Sequence, residues 1–161
     1  MLEWESSESD RAFIEYVIYQ DGLEIGTTTD VMYDVTDLPY NPSCYTFNVE
    51  AVFDEGVSEW SNDAYACITG FGSVDGYVMA LQTGEPKEGA MVYLDGMGEL
   101  GDPFTYTFYT DEYGYYEGDV MVGDYDYTVT ADGYLPGADM GSVAYDTYTS
   151  IDFYLDEYPD P

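Results

Sequence analysis

The chain has 161 residues, with 34 acidic side chains against two basic ones, Arg11 and Lys87, and no histidine. A net charge of -32 repels phosphate, which excludes nucleic acid and anionic membrane surfaces as electrostatic partners. With no histidine base and no cluster of cations to hold an anionic substrate, most catalysis is excluded as well, and the chain is not expected to be an enzyme.

Charge does not make this chain disordered, because 45% of its residues are apolar and 18% aromatic, enough to build cores. The apolar residues recur with a period of two, as in Phe104-Thr105-Tyr106-Thr107-Phe108 and Tyr125-Asp126-Tyr127-Thr128-Val129-Thr130. That period marks strands. In chain order, strands are predicted near residues 2–5, 12–19, 23–28, 30–35, 43–53 and 57–69. Asp21-Gly22 reads as a hairpin turn, and Asp54-Glu55-Gly56-Val57 as the next hairpin. The one candidate for helix is a turn near 58–62. The chain divides near Gly70-Phe71-Gly72. Beyond it, strands are predicted near 73–81, 89–95, 103–110, 114–122, 124–131, 140–146 and 148–155, with turns at Gly123-Asp124 and Asp132-Gly133. The fold class is therefore all-β: two tandem β-sandwiches joined by a junction too short to be a flexible linker. A stiff rod is expected. Tyr158-Pro159-Asp160-Pro161 is unfit for a central strand and reads as a linker or tail. No run reaches the ~18 apolar residues of a membrane helix, so no membrane insertion is expected. No basic-then-apolar signal opens the chain, so a secreted form would be a mature or excised piece.

Residues 1–70 resemble a fibronectin type III domain. The resemblance rests on Leu2-Glu3-Trp4, Tyr16-Val17-Ile18-Tyr19-Gln20-Asp21-Gly22, Leu38, the run Tyr45 to Val52, and Gly56-Val57-Ser58-Glu59-Trp60-Ser61-Asn62. It implies a tyrosine corner at Tyr45, whose hydroxyl would tie down the preceding loop. It also implies that the first strand of the family is missing, since the chain opens on the strand that carries the buried Trp. The missing strand leaves a sheet edge free. Either a truncation removed it, or a neighbouring subunit or another segment donates one. Residues 73–157 resemble a carboxypeptidase regulatory-like domain, a transthyretin-like (prealbumin-like) sandwich of seven strands. The matching residues are Gly76-Tyr77-Val78, the run Thr83 to Leu94, Thr110-Asp111-Glu112-Tyr113-Gly114-Tyr115-Tyr116, the run Gly123 to Val129, and Ala131-Asp132-Gly133-Tyr134. That resemblance implies a non-catalytic accessory module. Residues 158–161 lie beyond both.

The chain has two cysteines. A hairpin centred between Glu55 and Gly56 pairs Asp54 with Val57 and, followed outward, Cys44 with Cys67. The two thiols would then face each other across neighbouring strands, within reach of a disulfide. The alternatives are two buried free thiols, or a bulge that spoils this register. A bridge points to an oxidising compartment. Three groups of carboxylates are candidates for calcium: Asp95, Glu99 and Asp102 in a Gly-rich loop, Asp111 with Glu112, and Asp124 with Asp126. None has EF-hand spacing, and Asp in turns commonly bonds its own backbone. Calcium is the only cofactor the sequence suggests. Trp60, Tyr109, Tyr113 and Tyr115 are candidates for an exposed platform that stacks on sugars, although core packing and cross-strand pairing account for most tyrosines.

The function expected from these residues is that of a non-catalytic extracellular or cell-surface module for structure or adhesion. It would be a self-associating subunit of a surface fibre through strand-edge pairing at Leu2, Glu3, Trp4 and Trp60. Its partners would be identical subunits or neighbouring modules. The alternative is a calcium-dependent accessory module of a larger secreted enzyme, binding carbohydrate or protein, with glycans as partners.

Overall fold

The computed structural model describes residues 1–6 and 11–159, so the last two residues of the predicted tail lie outside the described residues. Among the described residues there is no helix. The chain separates into two compact units, Met1–Ile68 and Thr69–Pro161.

The first unit holds β1 (Leu2–Glu3), β2 (Phe13–Gln20), β3 (Leu23–Thr28), β4 (Met32–Tyr33), β5 (Asn41–Phe53), β6 (Gly56–Val57) and β7 (Ala64–Ile68). β1 and β4 form a two-stranded sheet. β3, β2 and β5 form the larger sheet, and β6 and β7 both pair with β5. The Asp21-Gly22 turn closes β2 onto β3 with Gln20 opposite Leu23. Both turn residues take left-handed φ, 51° and 81°, as a two-residue hairpin requires. Tyr16 faces Ala51 and Ile18 faces Val49 across β2 and β5. Strand alternation therefore turns these four to one face. Tyr16, Ala51 and Phe53 are buried there, with Trp4 and Val49 packed against them.

The long strand predicted over 57–69 is broken, and the predicted hairpin register needs correcting. Phe53, not Asp54, closes the hairpin, opposite Gly56. From 58 to 63 the chain follows β5 without forming a strand. Two serines hold it there. The Ser58 N–H donates to Ala51 O (2.8 Å) while the Ala51 N–H donates to Ser58 Oγ (2.8 Å). Likewise the Ser61 N–H donates to Val49 O (2.8 Å) and the Val49 N–H to Ser61 Oγ (3.0 Å). Hydroxyls thus stand in for ladder carbonyls, and the helical turn expected near 58–62 does not form. When β7 begins, the register has slipped, so that Phe47 faces Ala64 and Tyr45 faces Ala66.

The second unit holds β8 (Phe71–Ala80), β9 (Met91–Gly98), β10 (Pro103–Tyr109), β11 (Tyr115–Met121), β12 (Gly123–Thr130), β13 (Gly137–Val143), β14 (Tyr148–Ser150) and β15 (Phe153–Leu155). One sheet runs β10-β9-β12-β13 and the other β11-β8-β14, with β15 also on β8. β14 and β15 both run parallel to β8, so they are the two halves of the predicted strand 148–155. Between the sheets lies a core of Val74, Val78, Val92, Leu94, Val120 and Val129, all fully buried, closed by Tyr116, Tyr125 and Tyr127. Phe104, Tyr106 and Phe108, alternate residues of β10, pack against it. The β10–β11 turn is held by Asp111, whose Oδ1 accepts the N–H groups of Tyr113 (2.9 Å) and Tyr115 (3.0 Å). Gly114 completes the turn at φ 75°, where a side chain would collide with Val78 O.

Candidate functional site

The bonding of β1 defines an edge in the first unit. The Trp4 N–H donates to Val31 O (3.1 Å), and Leu2 and Glu3 lie opposite Tyr33 and Met32. In an antiparallel pair, residues alternate between exchanging hydrogen bonds and not exchanging them. Trp4 belongs to the first class, so Glu3 belongs to the second, and its N–H and C=O point away from β4. Among the described residues no strand takes up that side of β1.

Beside this edge lies a groove of about 520 Å³. Leu2, Trp4, Tyr16, Val49 and Ala51 give it apolar walls, and the exposed residues Glu3 and Glu59 add negative charge. Trp4 stands edge-on to Tyr16, with centroids 5.2 Å apart. Its indole N–H is buried and has no hydrogen-bond partner among the described residues. A buried donor without an acceptor costs about 1–3 kcal/mol. The site therefore combines an unpaired strand edge, an apolar trough and an unmet donor.

Of the four residues expected at the edge, Leu2, Glu3 and Trp4 come together and Trp60 does not. Trp60 stacks on Tyr19 at 4.7 Å. By alternation, Tyr19 points to the opposite face of the sheet from Tyr16 and Ile18. The Tyr19 hydroxyl donates to Glu50 Oε2 (3.0 Å), and that bond raises its pKa. Trp60 therefore covers a polar outer face. This placement was not legible from residue order, because the irregular run 58–63 has no alternation to follow.

Cys44 and Cys67 are joined in a disulfide. Cys44 takes a left-handed φ of 67° at the bulge between Asn41 and Tyr45. The bulge and the bridge, weighed as alternatives on sequence alone, thus occur together. The Tyr45 hydroxyl donates to Pro39 O (3.1 Å) and ties down the preceding loop.

Among the described residues no three acidic or cysteine side chains converge as a metal site. Asp95 lies on β9 opposite Asp126. The loop carrying Glu99 and Asp102 closes on itself, with the Gly98 N–H donating to Asp102 O (2.8 Å). Asp111 is engaged by its own turn, and Asp124 accepts a hydrogen bond from Ser142. Tyr109 and Tyr113 are exposed at one end of the second unit. Tyr115 instead packs on Tyr77 at 5.2 Å and donates to Glu117 (3.1 Å). Desolvation, the Glu117 hydrogen bond and charge, and Asp75 push its pKa up to about 12.

No family model and no curated protein matches this chain. Solved structures do align with it. The Bacillus anthracis TIE protein superposes with a TM-score of 0.51 at 14% identity, over 93% of this chain and 35% of that one. A minor pilin of Streptococcus agalactiae aligns over 100% of this chain and 90% of its own, at TM-score 0.46 and 15% identity. Chlorocatechol 1,2-dioxygenase from Pseudomonas putida aligns over 55% and 61%, at TM-score 0.48 and 12% identity. The chain thus spans less than two thirds of the dioxygenase and about a third of the TIE protein. At 14% identity the likeness to the TIE protein is one of fold alone.

Proposed function

We propose that this chain is a non-catalytic structural or adhesion module that works at the cell surface or outside the cell, and that it associates through the free edge of β1. The observation that carries this reading is the outward-facing backbone of Glu3 beside an apolar groove that holds the unmet Trp4 donor. A strand laid along β1 would bond Glu3, cover Trp4 and extend a sheet that has only two strands. The bridge between Cys44 and Cys67 supports an oxidising exterior. In this reading the first unit is a fibronectin type III-like sandwich, supported by the Tyr45–Pro39 tie. The second is a carboxypeptidase regulatory-like sandwich that serves as a spacer. The strand comes from an identical subunit or a neighbouring module.

Sedimentation velocity of the full chain over a concentration series, in salt high enough to screen its charge, tests this. Assemblies are expected, and Glu3→Pro should weaken them, because it deletes an outward N–H without touching the bonds to β4. A Glu3→Pro chain that assembles as well as the parent would overturn the reading.

A further inference from the structure

A second edge, in the other unit, is fitted to a different partner. β10 is the outer strand of the β10-β9-β12-β13 sheet. Its bonds to β9 are bracketed by Gly98 N–H to Asp102 O (2.8 Å) and Thr110 N–H to Ala90 O (3.0 Å). With the register Phe104 to Gly96, Tyr106 to Leu94 and Phe108 to Val92, these three residues exchange hydrogen bonds with β9. The backbone groups of Thr105, Thr107 and Tyr109 therefore point outward. They have no main-chain partner among the described residues, and all three residues are exposed.

The charge pattern then distinguishes this edge from the other edges of six residues or more; β7, Ala-Tyr-Ala-Cys-Ile, is also uncharged but shorter. β3 carries Glu24, β11 carries Glu117 and Asp119, and β13 carries Asp139. Such charges are the usual means of keeping edges apart. β10, Pro-Phe-Thr-Tyr-Thr-Phe-Tyr, carries none, and no charged residue falls between Asp102 and Asp111. In a chain of net charge -32, a second copy meets like charge along the other long edges, and here it does not. The strand is also stiffened from within. Tyr106 and Phe108 lie nearly parallel at 6.4 Å, and the Tyr106 hydroxyl accepts the Met121 N–H (3.0 Å).

We infer that β10 is a homodimerisation edge, pairing antiparallel with β10 of a second copy about a two-fold axis near Thr107. Thr107 then faces its own counterpart, and Thr105 faces Tyr109 on either side. Only residues with an N–H are used, and Pro103 stays outside the ladder. The two four-stranded sheets become one continuous sheet, and the symmetry closes the assembly at two. The pairing is independent of the β1 edge. Salt strengthens it, because the screening length falls from about 10 Å at 0.1 M to about 3 Å at 1 M, which mutes repulsion between the copies.

The test is sedimentation equilibrium of the Glu3→Pro chain, in which the β1 edge is disabled. A monomer at low salt and a dimer at about 1 M salt are expected. Adding Thr107→Pro, or Thr107→Lys to place two cations together, should return the monomer with an unchanged far-ultraviolet spectrum. In the otherwise native chain, Thr107→Cys should oxidise to a covalent dimer, because facing residues of this class lie about 5.5 Å apart. A chain that stays monomeric at high salt, grows beyond two, or dimerises equally well with Thr107→Lys overturns the inference.

Discussion

Tyr116, Tyr125 and Tyr127 carry the same phenol into the core of the second unit, and their hydroxyls meet different surroundings. Tyr116 donates to Ile151 O (2.7 Å) and Tyr125 to Met121 O (2.8 Å). The Tyr127 hydroxyl is buried without a hydrogen-bond partner among the described residues. Removing a satisfied donor costs about 1 kcal/mol, whereas removing an unsatisfied one relieves a desolvation penalty. Tyr127→Phe is therefore expected to raise stability by up to about 1 kcal/mol, and Tyr116→Phe and Tyr125→Phe to lower it by a similar amount. Urea melts of the three variants check the sign of each. Burial also disfavours the charged form of all three rings. It pushes Tyr127 up to about 12 and the other two higher. Because these folded values lie above the unfolded value of 10.0, their contribution to stability is complete below that pH. It is lost as pH rises from there towards about 12. Tyrosinate absorbance followed beside far-ultraviolet ellipticity checks this. The buried three should ionise together with unfolding.

At the scale of elements, the first unit depends on two local devices. The disulfide closes a loop with a sequence separation of 23 residues, for which chain entropy suggests about 3 kcal/mol. Reductant should lower the melting temperature of the first unit while the second melts unchanged, which calorimetry would resolve. The serines at 58 and 61 are the other device. Ser58→Ala leaves the Ala51 N–H without its acceptor and should cost about 1–2 kcal/mol in a chemical melt. Alternation made the strands of the second unit legible, because apolar residues at every other position of β8, β9 and β12 leave little freedom of phase. It failed at 58–63, where Ser58 and Ser61 bond to β5 through hydroxyls and no period survives. The cysteine pairing was reached through a hairpin register that is wrong at Phe53 and Gly56. It holds beyond the slip, because the irregular run absorbs the difference before Ala64 meets Phe47. Trp60 was misplaced for the same reason. For Leu2, Glu3 and Trp4 the strand itself was legible from Leu2-Glu3-Trp4, and the structure places Leu2 and Glu3 opposite Tyr33 and Met32.

For the whole molecule, 34 acids against two bases leave cohesion to packing and to backbone hydrogen bonds. Even the two cations are spent on aromatic rings. Arg11 lies 4.5 Å from the centroid of Phe53, and Lys87 lies 4.4 Å from that of Tyr134, to whose hydroxyl it donates. Self-repulsion is unrelieved in dilute buffer, so the melting temperature should climb with ionic strength. A midpoint that does not move between low and high salt would contradict this. The same repulsion makes association conditional on salt, and the free edge of β1 is where it is expected first. Amide hydrogen exchange at Glu3 tests that claim most directly. In dilute monomer the Trp4 N–H, bonded to Val31 O, should be protected, while the Glu3 N–H exchanges freely. In assembled protein Glu3 should become protected as well. A Glu3 amide that exchanges as fast in assemblies as in monomer would contradict pairing along β1.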